Sequence, residues 1–506
     1  MKKLWIRLLA VCLLAVVAEA AAAQTASRTA VIAVGHVPDN IDLTQSRNGP
    51  ISRPTMENVT EALIGLAPDG NIKPTVATWT VSDDGKTIEF KLRKGVKFHT
   101  GDELTARDIE FSHKRMLDKK VTFYVRQMRA LDRFEVVDDQ TFRYVFSAPT
   151  IGFLPSRGPF VVSKAYFDRV GEKEFAERPV GTGPYRLVNH QLGQYAELEA
   201  FDGYWGAPPA LKKVRIAFVK DDTTRISMLK AGEADMIMNT PFSAVEDLAK
   251  AGFTNVSSAV HPSVSIQFPS ANRKAPWADV RVRRAIALAI DGDAIVKGLF
   301  HNVPKRFARL APGELGYDPD IKPYPFDPGA AKKLLAEAGY SNGFTLPLYY
   351  WSGTYSGIRE TAEAVALYLR VVGIDVKVQG YEPPQMMERM FARRDAEDTD
   401  LVMLSPLTLA NYTDPAEALG FAFTSQSQMS VYKNEAFDRL VNLANSTMDE
   451  AKRAEYVREA VRIMHADIPS ITLWNNVVVY SMKKGWSFTP TQRNQALLDL
   501  TGLRVQ

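Results

Sequence analysis

Short apolar runs alternate with amphipathic helical stretches along most of this 506-residue chain, and no short repeat or low-complexity linker interrupts them. Residues 214–219 have the composition of a buried strand, residues 221–232 form a helical pattern that ends in Gly232, and residues 234–238 are again strand-like. A strand, a helix and a second strand in this order are typical of the βαβ unit of a parallel sheet. The alternation predicts an α/β or α+β organisation, and the βαβ order is that of an α/β fold.

A second passage of the same kind lies later in the chain. Residues 346–351 are predicted to form a strand, residues 359–372 a helix that stops at Gly373, and residues 374–378 the following strand. Two such passages imply two lobes, and the length of the chain predicts two or three lobes with separate cores. Residues 68–180 are rich in hairpin patterns and are predicted to form an inserted α+β subdomain.

The first 23 residues have the pattern of a cleaved secretory signal peptide. A positively charged start precedes an apolar run at residues 8–17 that is too short to span a bilayer, and residues 21–23 supply a small-residue cleavage pattern. The only cysteine, Cys12, lies in that run after Val11, which does not fit the lipid-accepting cysteine of a lipoprotein. We therefore expect a periplasmic protein that is cleaved near Ala23 and is not anchored by a lipid.

The composition of the mature chain excludes several classes of protein. Removal of residues 1–23 takes away three cations and one anion, so the formal charge falls from +4 to +2 on 483 residues. No cysteine remains, which excludes disulfides, a thiolate nucleophile and cysteine-ligated metals. Acidic residues are interspersed with the basic ones, so no nucleic-acid partner is expected. No later apolar stretch reaches the roughly 18 residues of a membrane span, and the mature protein is expected to be soluble.

Residues 78–116 combine a hairpin with a capped helix. Residues 79–81 and 87–92 have strand patterns on either side of a turn on Asp-Asp-Gly. Thr105 is placed to cap the following helix, and Asp108 stands three residues on, where it substitutes for the Glu of a capping box. These elements are scaffold rather than chemistry.

The same segment resembles the family 5 solute-binding proteins, which are the extracytoplasmic receptors of ABC importers for oligopeptides, dipeptides, nickel and some other solutes. Further along, V-G-T-G-P-Y at residues 180–185 and F-D-G-Y-W at residues 201–205 are similar to motifs of that family. Residues 282–299, with R-R-A-I and A-I-D, look like its V-R-x-A-x-x-x-A-I-D helix. Each motif is weak alone, but together they occur in the family's order and spacing.

The resemblance implies a two-lobed periplasmic-binding-protein fold with two crossing hinge strands. The crossings are expected near residues 263–272 and 473–478. Lobe I is expected to comprise residues 24–67, 181–268 and 477–506, the inserted subdomain residues 68–180, and lobe II residues 269–476. The implied function is capture of an oligopeptide- or dipeptide-like solute by hinge closure and its delivery, by a monomer, to an ABC permease in the cytoplasmic membrane.

Ligands of α/β lobes lie at the carboxyl ends of strands, and this rule selects residues 349–355. The segment leaves a predicted strand, carries four aromatic residues and precedes a helix. Trp351 and Tyr355 are the predicted ligand contacts, with Tyr349 as a weaker one, because such side chains combine apolar area with a polar group. The alternative is that two or three of these residues belong to the core.

Three further places match the family's cleft segments. Asn48 and Gly49 correspond to a loop that pairs with extended peptides, although an ordinary Asn-Gly turn remains the alternative. Tyr124 corresponds to a tyrosine that the inserted region offers to the ligand. Trp474 and Asn475 fall at the return crossing, where Trp474 fits hinge packing equally well.

Residues 405–415 depart from the peptide-binding pattern. Peptide-binding members carry an Asp there that bonds the peptide's α-ammonium group, and alignment on Asp414 places Asn411 at that position. A neutral amide cannot neutralise a buried ammonium group. Either Asp414 or another acid replaces the anchor, or the solute lacks a free α-amino group. The main alternative to a peptide is therefore a non-peptide solute such as an opine or modified amino acid, a saccharide or chelated nickel.

An enzyme is a more remote interpretation. Ser227 and Lys230 fit the S-x-x-K pattern of a periplasmic serine hydrolase, but they lack the S-D-N and K-T-G partners and lie in a helix of the family's own pattern. No catalytic residue, metal site or cofactor is predicted, although dispersed histidines and carboxylates leave a metal site assembled by folding open. A chaperone or sensor role is a further alternative.

Overall fold

The structure is a computed structural model that describes residues 28–46, 49–150, 152–258, 263–352, 357–407, 414–491 and 497–505. Within these ranges, the strands are β1 (Thr29–Val34), β2 (Ile64–Leu66), β3 (Ile72–Pro74), β4 (Ala77–Val81), β5 (Thr87–Leu92), β6 (Leu131–Val136), β7 (Thr141–Phe146), β8 (Tyr185–Gln191), β9 (Tyr195–Ala200), β10 (Lys213–Phe218), β11 (Met236–Met238), β12 (Thr254–Ser258), β13 (Ser263–Gln267), β14 (Phe344–Trp351), β15 (Ile374–Tyr381), β16 (Met403–Leu407), β17 (Ser470–Asn475), β18 (Val478–Met482), β19 (Trp486–Phe488) and β20 (Leu503–Val505). The helices are α1 (Gly49–Met56), α2 (Ala106–Asp118), α3 (Thr122–Gln127), α4 (Phe153–Ser156), α5 (Lys164–Glu177), α6 (Asp222–Ala231), α7 (Val245–Lys250), α8 (Val280–Ala289), α9 (Gly292–Phe300), α10 (Pro328–Glu337), α11 (Ile358–Val371), α12 (Pro383–Arg393), α13 (Pro415–Phe423), α14 (Glu435–Ser446) and α15 (Glu450–Asp467).

The first large sheet has seven strands in the order β12-β18-β11-β1-β10-β9-β8. Strand β1 is parallel to both β10 and β11, with Val34 opposite Phe218 on one side and Met238 on the other. Helix α6 connects β10 to β11, begins after the cap Asp221 and ends at Gly232, where φ is 79°. The predicted βαβ unit is therefore confirmed, and three parallel strands end at one edge.

The second large sheet has five strands in the order β15-β14-β16-β13-β17. Strand β14 is parallel to β15 and to β16, and α11 connects β14 to β15. Gly373 follows this helix with φ of 94°, a conformation that a side chain would strain, so the predicted stop is confirmed. The carboxyl ends of β14, β15 and β16 again lie at one edge of the sheet.

One strand differs from the predicted division of the chain. Strand β13, which falls within the range expected for lobe I, pairs with β16 and β17 of the five-stranded sheet. Polar and apolar residues alternate along β13, but all five are buried, so the alternation does not indicate which sheet the strand joins. The chain therefore changes sheets between β12 and β13, before the predicted boundary at residue 268, and returns between β17 and β18.

The predicted hairpin and capped helix are confirmed in the region of residues 68–180. Strands β4 and β5 pair antiparallel within a four-stranded sheet of order β4-β5-β7-β6. Thr105 and Asp108 form the reciprocal capping box of α2. Helix α2 packs near the aromatic face of this sheet, where Phe90 stacks on Phe142 with ring centroids 5.2 Å apart.

The two family-like glycine and aromatic motifs meet at one buried carboxylate, Glu61. Its Oε2 accepts hydrogen bonds from Thr182 at 2.9 Å and from the Trp205 indole at 3.0 Å, and its Oε1 accepts one from Tyr204 at 3.0 Å. A Cβ at Gly183 would lie 2.4 Å from the carbonyl oxygen of Asn58, so the motif's second glycine is required by a close backbone approach. These motifs are explained by packing.

We expect Glu61 to make the protein less stable as pH rises. Burial raises the pKa of Glu61 from 4.5 to about 7, against the opposing effect of its three donors. Between those values the folded state holds a proton that the unfolded state has lost, so the free energy of unfolding falls by up to about 3 kcal/mol from pH 4.5 to 7. Over that range, the urea-unfolding midpoint of Glu61→Gln should depend less on pH than that of the wild type. Glu455→Gln, at an exposed position, should keep the pH dependence of the wild type. An unchanged slope in Glu61→Gln would contradict this assignment.

Candidate functional site

The carboxyl edge of the five-stranded sheet brings aromatic and acidic side chains together. Trp351 ends β14 directly opposite Tyr381, the last residue of the parallel strand β15. Trp351 and Tyr381 are both partly buried and pack on a cluster that includes Tyr349 and Met386. The predicted contact Trp351 therefore lies at the sheet edge, with one face against the core.

Glu382 is a candidate that the sequence interpretation missed. It follows Tyr381, is exposed, and accepts a hydrogen bond from the Ser352 hydroxyl at 2.9 Å. The Ser352 amide donates to the carbonyl of Tyr381 at 2.8 Å, which holds the two strand ends together. A carboxylate here is placed to pair with a cationic group beside the indole of Trp351. The rule that selected residues 349–355 would have found Glu382 had it been applied to the next strand.

Tyr349, the weaker of the predicted contacts in this segment, packs in the core. Its side chain is only 9% exposed, and its hydroxyl donates to Asp400 at 2.5 Å. The Arg389 guanidinium lies over the ring at 4.2 Å and pairs with Asp400 at 3.2 Å. Burial, together with the hydrogen bond to Asp400, raises the pKa of Tyr349 to about 12. Because side chains alternate along a strand, Tyr349 supports the same face that presents Trp351.

The matching edge of the seven-stranded sheet carries a neutral imidazole. His36 follows β1, and its Nδ1 lies 3.3 Å from Oδ1 of Asn239, which follows β11. Burial, with a smaller contribution from Arg225, lowers the pKa of His36 to about 4. Arg225 donates to the carbonyls of Val219 at 2.7 Å and Asn239 at 2.8 Å, so it ties the ends of β10 and β11 together. In the sequence, His36 is one of several dispersed histidines. Only the parallel register of β1 and β11 shows that it lies at a sheet edge beside Asn239.

The two predicted residues of the return crossing make internal contacts. Trp474 is fully buried, donates from its indole to Thr361 at 3.1 Å, and packs against Phe300 with ring centroids 5.0 Å apart. Asn475 is 3% exposed, and its side-chain oxygen accepts from the Phe307 amide at 2.8 Å. These positions support the hinge-packing alternative for Trp474.

Asp414 is also engaged inside the protein. It caps α13 by accepting from the amides of Ala416 at 2.9 Å and Glu417 at 3.3 Å. Its other carboxylate oxygen pairs with Arg453, and both residues are 8% exposed. These contacts give Asp414 a structural role, and the proposed site does not include it.

Tyr124 lies in the aromatic core of the inserted region rather than at a sheet edge. It is fully buried, and its hydroxyl lies 2.7 Å from Nδ1 of His113 and 3.1 Å from the hydroxyl of Tyr144. No side-chain atom is offered to a solute there. The family-based prediction for Tyr124 gains no support from this position.

The remaining predicted contacts are only partly described. Gly49 is the first residue of α1, whose first amide groups have no partner within the helix. Asn48, Tyr355 and Asn411 lie outside the described residues. Those three stay predictions.

A side-chain contact joins the inserted region to the helices beyond the five-stranded sheet. Gln127, the last residue of α3, donates from its amide to Oε1 of Glu417 in α13. A Cβ at Gly152 would lie 2.9 Å from the Glu417 carboxyl carbon, so the backbone also approaches closely. Regions that we expect to move apart on opening therefore touch in this conformation.

Ser227 and Lys230 lie on the exposed face of α6. No group of three His, Cys, Asp or Glu side chains in the described residues is arranged to hold a metal ion. None of the described helices is long and apolar enough to cross a membrane.

Comparison with protein families identifies the class. A model of the bacterial extracellular solute-binding proteins, family 5 (middle region) matches residues 71–430. Because this match spans more than half of the chain, the chain belongs to that family. Its fold is the two-lobed α/β fold of the family's solved periplasmic binding proteins.

Individual relatives bind different solutes. The heme-binding protein A of Haemophilus influenzae is 31% identical over 443 residues, which cover 80% of this chain and 79% of that protein. The dipeptide-binding protein of Escherichia coli is 28% identical over 459 residues, covering 84% of this chain and 83% of that protein. The periplasmic binding protein DppA from Helicobacter pylori, solved with the peptide STSA, has a TM-score of 0.75 at 25% identity, covering 94% of this chain and 98% of that one.

Proposed function

We propose that this protein is the substrate-binding component of an ABC importer and captures a dipeptide- or oligopeptide-like solute between its two lobes. The observation that carries the proposal is the sheet edge where Trp351, Tyr381 and Glu382 meet, in a chain of the family 5 solute-binding proteins. The indole offers apolar contact area, and the carboxylate offers a partner for an ammonium group. Relatives named for dipeptide and peptide binding support this solute class.

The proposed site comprises Trp351 and Glu382 at the edge of the five-stranded sheet and Gly49 at the start of α1. It also includes the sequence-based predictions Asn48, Tyr355 and Asn411. The solute contacts both lobes only when they close, so its differential affinity shifts the population toward the closed state. A permease in the cytoplasmic membrane then receives the solute.

The same proposal covers the compartment and the assembly state. The protein is exported by the signal peptide that we expect at residues 1–23, is cleaved near Ala23, and acts in the periplasm without a lipid anchor. It works as a monomer and catalyses no reaction. A Ser227→Ala variant with unchanged solute binding, and absence of turnover on an amide and β-lactam panel, are the expected outcomes.

The first experiment is mass spectrometry of small molecules released by denaturing the purified mature protein. A thermal-shift panel of free-amino peptides, blocked peptides, saccharides and nickel complexes follows, because a solute that binds the folded state raises Tm by mass action. We expect recovered peptides and stabilisation by free-amino peptides. Stabilisation by none of the peptides would contradict the peptide assignment.

We expect Trp351→Ala to weaken solute binding by about 1–3 kcal/mol, the scale of a lost buried aromatic contact. Calorimetric titration with the recovered solute measures this loss. Trp79→Ala is the matched control, because Trp79 is also partly buried but lies in the hairpin of β4 and β5. Equal solute affinity in the wild type and Trp351→Ala would show that Trp351 is a core residue and not a ligand contact.

A non-peptide solute is the second candidate, and Asn411 favours it because an amide does not neutralise a cation. The relative from Haemophilus influenzae that is named for heme binding shows that the family includes such a solute. Recovery of a non-peptide molecule, with peptides inert in the thermal-shift panel, would establish this candidate instead.

A further inference from the structure

A cavity of about 430 Å³ opens between α8 and α15, away from the proposed solute site. Its walls include Arg284, Arg462 and His465, together with Tyr324 and the apolar side chain of Ile321. Its volume lies within the range of small-molecule sites. The lining therefore combines positive charge with apolar surface.

A buried arginine without an acidic partner stands beside this cavity. Arg309 lines a smaller space of about 20 Å³ whose walls include Tyr324 and His465 as well. It is 8% exposed, donates from Nη2 to the Ser470 hydroxyl, and lies over the Phe423 ring at 4.8 Å. Its Nη1 is buried without a hydrogen-bond partner, and Arg309 forms no ion pair within the described residues. A buried guanidinium in this state is costly, so an anion nearby would stabilise it.

Two acids of this region, Asp318 and Asp467, are already engaged. Asp318 pairs with Arg462 at 2.8 Å. The Asp467 carboxylate accepts from the Tyr432 hydroxyl at 2.7 Å and from Asn434 at 2.9 Å. Arg284, by contrast, is exposed and has no ion pair among the residues that the structure describes. The cavity thus has an excess of positive charge.

The carbonyl groups at the carboxyl end of α15 do not compensate the excess positive charge of the cavity. Its carbonyl at His465 accepts the Tyr324 hydroxyl at 2.6 Å, and its carbonyl at Asp467 accepts from Arg283 at 2.9 Å. The His465 ring stacks on Tyr324 with centroids 4.7 Å apart and planes 2° from parallel. Tyr324 and His465 therefore form a flat wall rather than a partner for Arg284 or Arg309.

The cavity is separate from the solute edge along the sheet. Ser470, which lines the smaller space beside the cavity, begins β17 opposite Gln267, whereas the return crossing lies at Asn475, at the other end of the same strand. Five residue steps along a strand correspond to about 16 Å. Among the described residues of the proposed solute site, neither Trp351 nor Glu382 lines the cavity.

We propose that this cavity is a second binding site, for a small organic anion whose carboxylate or phosphate group pairs with Arg284 in front of Arg309. The flat, apolar part of the molecule lies against Tyr324. The site goes beyond the proposed function and does not depend on the identity of the transported solute.

Calorimetric titration of the mature protein with benzoate, and separately with inorganic phosphate, tests the site at constant ionic strength, which removes general screening effects. We expect one of the two probes to bind saturably at one equivalent and Arg284→Ala to weaken it at least about tenfold. Arg281→Ala is the matched control, because Arg281 lies on the same helix but pairs with Asp279 at 2.6 Å and does not line the cavity. Its affinity should stay within about twofold of the wild type.

Arg309→Met keeps most of the side-chain length and removes the charge, and we expect it to abolish binding where it folds. If Arg309→Met fails to fold, Arg284→Ala tests the site, because the side chain of Arg284 is exposed. Saturable binding must also persist in protein that is filled with its transported solute. Absence of saturation with both probes up to about 50 mM, equal weakening by Arg281→Ala, or displacement of the probe by the solute overturns the proposal.

Discussion

Trp474→Ala is expected to lower the free energy of unfolding by about 3–5 kcal/mol, the range for removing a fully buried aromatic side chain. The indole is fully buried, packs against Phe300 and Phe242, and donates to the Thr361 hydroxyl. Its removal leaves a cavity where β17 leads into the return crossing. Urea unfolding of solute-free protein, followed by circular dichroism, measures the change in midpoint.

Two variants separate hinge packing from solute contact. Trp474→Phe keeps most of the ring volume and loses the hydrogen bond to Thr361, so we expect a smaller loss of about 1–2 kcal/mol. Trp351→Ala should show the opposite signature, with weaker solute binding and a smaller loss of stability, because Trp351 is only partly buried at the sheet edge. Unchanged stability of Trp474→Ala with lost solute binding would make Trp474 a ligand contact.

Local sequence signals predicted the scaffold wherever residues that are close in sequence determine the structure. The hairpin of β4 and β5, the capping box at Thr105 and the helix stops at Gly232 and Gly373 all depend on residues a few positions apart. Strand β13 could not be assigned in this way. It is buried on both faces, and its partners β16 and β17 lie more than a hundred residues away.

The site was predictable only in part for a related reason. The rule for strand ends selects Trp351 after β14 and would select Glu382 after β15. That these two residues share one edge follows from the parallel register of the two strands, which no local pattern encodes. His36 and Asn239 meet in the same way at the other sheet. Tyr124 was chosen by family position alone, and its environment of Tyr144 and His113 is set by tertiary packing.

Asp414→Ala is expected to cost about 3–5 kcal/mol of stability, because it leaves the buried Arg453 charge without its partner and removes the cap of α13. Arg453→Met should be destabilising as well, and the double variant should recover part of the loss, since a buried pair replaced on both sides leaves no uncompensated charge. Urea-unfolding midpoints of the two single variants and the double variant measure this coupling.

Two further variants, Asp414→Asn and Asn411→Asp, test which residue binds the solute's amino group. If Asp414 serves only the cap and the pair with Arg453, Asp414→Asn leaves the ratio of affinities for free-amino and blocked peptides unchanged while stability falls. Asn411→Asp should raise that ratio without a matching loss of stability, because a carboxylate at the aligned position bonds an ammonium group more strongly than an amide does.

A ratio that falls in Asp414→Asn, with stability retained, would make Asp414 the ammonium anchor. An unchanged ratio in Asn411→Asp would remove Asn411 from the proposed site and leave Glu382, which lies beside Trp351, as the acid to test next.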